Sequence, residues 1–157
     1  MKWLRLSSAA FIFALAAASG CKPNEKASVA ADTVSTDKRT AVPLPAEGQQ
    51  AVLREMRQML GVMGGAMLAA SKGDTTALLA SLKPAGSAAA ADPAIEALLP
   101  AAWKELAERT HGGFDSLSIA VRRTGDPKLL KDTVLVRLAQ ISGACTSCHE
   151  TFRVTVR

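Results

Sequence analysis

Near the end of a 157-residue chain stands Cys145-Thr146-Ser147-Cys148-His149, a Cys-x-x-Cys-His pattern whose chemistry is covalent attachment of a c-type haem. Two thiols three residues apart reach neighbouring edges of one porphyrin and form thioethers. The next residue, His149, supplies an imidazole as the proximal iron ligand. A Cys-x-x-Cys pair also occurs in dithiol redox sites and in zinc sites. The first wants a βαβ setting, and the second a fourth donor, for which only His111 offers a usual nitrogen or sulfur outside Cys21. One covalent haem c is therefore the expected cofactor.

The third cysteine, Cys21, follows a segment that reads as an export signal. Lys2 and Arg5 precede an uncharged run, Leu6 to Gly20, rich in Ala, Leu and Phe. Its strongly apolar part falls short of the roughly 20 residues that span a bilayer. Ala18-Ser19-Gly20-Cys21 resembles a bacterial lipobox, with Ala18 where Leu is usual, which makes Cys21 the acylated mature N-terminus. The alternative is ordinary cleavage nearby, leaving Cys21 as a spare thiol in an oxidising compartment. Lipid on Cys21 and haem on Cys145 and Cys148 uses all three cysteines. The expected location is the periplasm or cell envelope, lipid-anchored to a membrane. Lys22 in place of Asp leaves the outer membrane open.

The formal charge of +5 includes Lys2 and Arg5; without them 17 basic residues face 14 acidic ones, or +3. That charge is mild, and no Lys/Arg run is interleaved with aromatics, so nucleic acid is not an expected partner. No carboxylate pair, nucleophile with base or phosphate loop stands out, so the chain is expected not to be an enzyme.

The elements that must position the motif read as helices. Residues 21–46, mixed polar with Pro43 and Pro45, form an expected lipid-anchored flexible linker. The folded domain spans 47–157. A first helix, 49–71, carries Val52, Met56, Met59 with Leu60, Met63, Met67 and Ala70 on one face, and Gly73 ends it. Asp74 caps a second helix from Thr75 to about Leu82, stopped by Pro84. A loose crossover follows from Gly86 to Ala91, and Pro93 or Pro100 opens the next helical turn. The third helix, about Ala101 to Arg123, turns Trp103, Leu106, Ala107, Phe114, Leu117 and Val121 inward. Gly112 and Gly113 mark a bend or a close helix contact there. The fourth, opened by Pro127, aligns Val134, Leu138, Ile141, Cys145, Cys148 and Phe152, which brings the Cys-Cys-His triplet to the interior. The expected fold class is all-α, an antiparallel four-helix bundle with covalently bound haem near the C-terminus.

The segment CTSCHETFR, Cys145 to Arg153, together with Leu99, Pro100 and Trp103 at the third helix and the Met-containing first helix, resembles the class II c-type cytochromes, the cytochrome c′ family. The resemblance covers Gln49 to Arg157. It implies a monohaem protein carrying electrons between redox partners in the cell envelope, with the membrane as a second partner through the N-terminal lipid. It implies pairing as a homodimer through the first two helices. By the same resemblance Arg153 would lie near a haem propionate, and a first-helix residue would cover the distal iron face. Two alignments of the first helix differ by one residue, so Met56 and Met59 straddle that position. Thioether ligation suits an electron carrier; a stripe of Met is otherwise ordinary core. Without a Met ligand the iron would be five-coordinate, and the alternative function is binding of nitric oxide or carbon monoxide. A purely structural haem is a third reading. His111 is expected in a polar or solvent-facing role rather than on iron.

Overall fold

The computed structural model describes residues 37–89 and 92–157. The expected export signal (1–20), Cys21 and the expected linker up to residue 36 lie outside the described residues. What is described is mostly helical: α1 (Ala46–Lys72), α2 (Thr75–Leu82), a single turn α3 (Pro93–Glu96), α4 (Ala101–Arg123) and α5 (Pro127–Thr151). A small parallel sheet pairs β1 (Thr40–Leu44) with β2 (Phe152–Val156) in the register Thr40↔Phe152 to Leu44↔Val156.

Local chemistry sets these boundaries. α1 ends where Gly73 takes the left-handed conformation at φ 68° and its N–H reaches back to the last turn, a geometry that glycine adopts without steric cost. Asp74 then opens α2, its carboxylate accepting from the Ala77 N–H at 2.8 Å. Asp126 opens α5 in the same way, accepting from Lys128 at 2.8 Å. Each cap satisfies an amide that has no partner inside its helix. Short 3-10 turns at Lys83–Ala85 and Ser87–Ala89 start the crossover; of the two prolines expected to open a helical turn, Pro93 opens α3 and Pro100 is the N-cap residue of α4.

α1 packs on α2 and α5, and α4 packs on α5 and α2. The three-residue turn 124–126 makes α4 and α5 an antiparallel hairpin. Gly113 lets them close up: a Cβ at this position would stand 2.7 Å from Ile141 Cγ1. α4 runs unbroken through both glycines, and only Gly113 makes a close helix contact; a Cβ at Gly112 would meet nothing within 4 Å.

The core has two parts. One joins Val62, Ala66 and Ala70 of α1 to Leu78 and Leu82 of α2, Phe114 and Leu117 of α4, and Val134, Leu138 and Ile141 of α5. The other gathers Val42 and Leu44 of β1, Val52, Leu99, Trp103 and Phe152, with the Trp103 and Phe152 rings 5.4 Å apart and tilted.

Three expectations need correction. The linker does not run to residue 46: Val42 and Leu44 are 1% and 0% exposed inside the second core. Phe152 buries its ring as expected, but as the first residue of β2 and not as part of the fourth helix. On α1, Leu60 and Met67 are exposed, and Ala66 takes the inward place. The small side chain lets α2 approach where Met67 would have stood.

Candidate functional site

α5 carries the motif through its last two turns and places Cys145 and Cys148 half-buried on its inward side. Both are free thiols. Cys145 packs against the first core, beside which Met59 and Met63 also lie half-buried. Cys148 packs against the second, together with Met56. The two sulfurs thus sit at the seam between the cores; Met59 packs on the same core as Cys145, and Met56 on the same core as Cys148.

The electrostatics of that seam favour neutral thiols. Burial pushes the Cys145 thiol above its ordinary value, against a smaller lowering from its hydrogen bond with Thr110. Cys148 is raised by burial and then by the neighbouring Cys145. An attacking dithiol needs the opposite, a depressed pKa in an electropositive setting. Among the described residues no group of three or more His, Cys, Asp or Glu side chains comes together as a metal site.

His149 departs from the expected interior placement: its side chain is exposed. At about 100° per residue it lies roughly 60° off the stripe that holds Val134, Leu138, Ile141 and the cysteines, so it stands at the edge of the buried face. Its backbone is held, since the His149 carbonyl accepts from Arg39 Nη1 at 3.1 Å. Arg39 in turn donates to both carboxylate oxygens of Asp37, the shortest contact being 2.7 Å from Nη2. These bonds hold the Asp37 carboxyl at about 2, below the usual carboxylate range, with the Arg39 side chain as the main cause.

Arg153, expected near a haem propionate, lies four residues beyond His149, as the second residue of β2. Its Nε lies 3.9 Å from Asp37 Oδ2, shielded from solvent and without a hydrogen bond among the described residues. A shielded guanidinium N–H without an acceptor suits an incoming carboxylate. On this observation and on the donor types of two free inward thiols followed directly by an imidazole, the residues present fit a covalent haem. An open groove of about 570 Å³ runs between α4 and α5, bounded by Arg109, Gly113, Arg137 and Ala144. It includes neither cysteine.

His111, expected to be polar or solvent-facing, is polar but buried, at 8% exposure. Its Nδ1 lies 2.8 Å from the Ala85 carbonyl, and its Nε2 lies 3.2 Å from Glu55 Oε1 at an angle poor for a hydrogen bond. Glu55, the Ala85 carbonyl and Asp115 raise the pKa of the imidazole, Glu55 most, against the desolvation that lowers it. Both ring nitrogens are thus engaged by protein atoms. The sequence reading missed Arg39, Asp37 and Glu55. Only Glu55, one turn before Met59 on the same helix, had a periodic signal that could have found it.

No described helix is long and apolar enough to cross a membrane. No protein-family model, curated protein or solved structure matches the chain significantly.

Proposed function

We propose that the chain is a monohaem c-type cytochrome of the class II kind that carries electrons in the cell envelope, tethered to a membrane by lipid on Cys21. The observation that carries the reading is the pair of free, half-buried thiols at Cys145 and Cys148, on the inward side of α5, with Met59 packed on the core that Cys145 meets and Met56 on the core that Cys148 meets. In this reading α1, α2, α4 and α5 form the antiparallel four-helix bundle, with α3 and the two-stranded sheet as additions at one end.

When bound, the haem supplies reversible one-electron exchange between ferric and ferrous iron. The chain's own residues do the rest. Cys145 and Cys148 would hold the macrocycle through thioethers, and His149 would supply an imidazole ligand. Met59 or Met56 would supply a thioether ligand, a donor that favours the reduced state. Arg153 offers its shielded N–H to a propionate. Trp103, Phe152, Val42 and Leu44 exclude water beside Cys148, and a dry surrounding limits the solvent reorganisation that accompanies a change in iron charge.

Optical spectra of the haem-matured full chain, oxidised and reduced, with and without carbon monoxide, test the reading. A low-spin spectrum with the weak sulfur-to-iron band near the infrared edge, unchanged by the gas, is expected. A high-spin spectrum that shifts with carbon monoxide would replace electron transfer by gas binding at an open distal face.

A further inference from the structure

The last turn of α5 leaves carbonyls without intrahelical donors, as every helix C-terminus does. The Phe152 N–H meets the Cys148 carbonyl. The next carbonyl, that of His149, is met by a side chain 110 residues away in sequence, the Arg39 guanidinium at 3.1 Å. A cation here also lies at the negative end of the helix dipole. Arg39 is itself locked: Asp37 grips its Nε and Nη2 at 2.9 and 2.7 Å, and Thr40, the next residue, begins the ladder to Phe152. Val42 and Leu44, two and four residues on, are driven into the core that contains Cys148. One short segment, 37–44, thus grips the motif in three ways: a charge-assisted bond to the His149 backbone, a parallel ladder to β2, and two buried side chains beside Cys148.

From this geometry we propose that Arg39 is a positioning residue for the proximal ligand, and that Asp37–Leu44 acts as a strap across the haem-attachment turn. The inference rests on the haem reading above for its redox consequence; the strap itself stands on the contacts alone. Arg39 fixes the His149 backbone from outside the helix, so the imidazole is presented from a turn that cannot fray. Asp37 fixes Arg39 and faces Arg153 at 3.9 Å, which ties the residue proposed for the propionate to the same clasp.

The test uses the full chain, haem-matured, as wild type, Arg39→Ala, Arg39→Lys and Asp37→Asn. Amide hydrogen exchange is read over the peptide 145–156, and the reduction midpoint is read by titration. Loss of one charge-assisted bond should speed exchange in that peptide roughly two- to tenfold in Arg39→Ala. Its midpoint should fall, because a positive charge bonded to the backbone of the residue proposed as iron ligand has been removed. Arg39→Lys should keep the midpoint near wild type yet recover the protection only in part, since an ammonium cannot bridge Asp37 and the carbonyl as the planar fork does. Asp37→Asn should raise the midpoint and loosen the peptide. Wild-type exchange and midpoint in Arg39→Ala would overturn the proposal. If the wild-type chain takes up no haem, the functional reading fails, and exchange in the same variants still decides whether Arg39 holds the turn. Should Arg39→Ala fail to fold, the Arg39→Lys and Asp37→Asn pair carries the test.

Discussion

Leu44→Ala separates a strand packed into the fold from a linker that merely passes by it. Leu44 is wholly buried against the core that holds Trp103, Phe152 and Cys148. The substitution removes three buried carbons; at about 0.8 kcal/mol each their transfer alone accounts for about 2.4 kcal/mol. Partial collapse of the site adds a cavity cost, so the expected loss is about 3 kcal/mol. Thr40→Ala, on the same strand but exposed, should cost no more than about 0.5 kcal/mol. Denaturant unfolding of the two variants beside wild type, followed by helical circular dichroism, reads both numbers. The midpoint should move far to lower denaturant for Leu44→Ala alone, with an unchanged slope. Equal stability of Leu44→Ala and wild type would refute the packing of 40–44 and with it the strap.

Gly113→Ala should destabilise the protein although alanine favours helix by about 1 kcal/mol, because its Cβ would meet Ile141 Cγ1 and overpacking costs about 1–3 kcal/mol. Thermal unfolding checks this, and adding Ile141→Val should restore part of the loss. The His111 pKa is raised in the folded state, so folding favours the imidazolium. That contribution is fully present below about 6.5 and is lost as pH rises through the folded value. The stability advantage of wild type over Glu55→Gln should accordingly be larger near pH 5 than near pH 8. In the chain produced without a haem-maturation system, Cys145 and Cys148 should alkylate more slowly at pH 7 than an exposed cysteine, since burial raises both thiols; mass spectrometry after a brief iodoacetamide pulse measures it.

Much of the helical frame is legible in the residues themselves. Gly73 followed by Asp74 is a stop and a start in two letters, and α2 runs from Thr75 to Leu82 as those signals require. Proline and aspartate at 126–127 do the same for α5. The sheet was hidden for two physical reasons. β1 is five residues long with Pro43 inside it and its partner over 100 residues away, so polar composition and proline outweighed the two-residue alternation of Val42 and Leu44. β2 was masked by arithmetic: Phe152 lies seven residues beyond Cys145, which is nearly two helical turns, so a helix and a strand place its ring on the same side.

At the site, residue type was informative and direction was not. The spacing of Cys145 and Cys148 puts both on the inward face, as a three-residue step on a helix must. His149 lies at the edge of that face, and whether an edge position is covered depends on neighbours that no local pattern encodes. Arg39 and Asp37 belong to a segment whose composition reads as linker. Their contact with the His149 carbonyl is a product of the parallel pairing, which local sequence cannot specify.

The central claim is that Cys145 and Cys148 carry one covalent haem. Intact mass together with the pyridine haemochrome spectrum of the acid-acetone-extracted protein, produced with a haem-maturation system, tests it most directly. One haem per chain that resists extraction, and that is lost as a covalent adduct in the Cys145→Ala, Cys148→Ala double variant, is the expected result. A colourless chain whose two thiols both titrate with a thiol reagent after unfolding would contradict it.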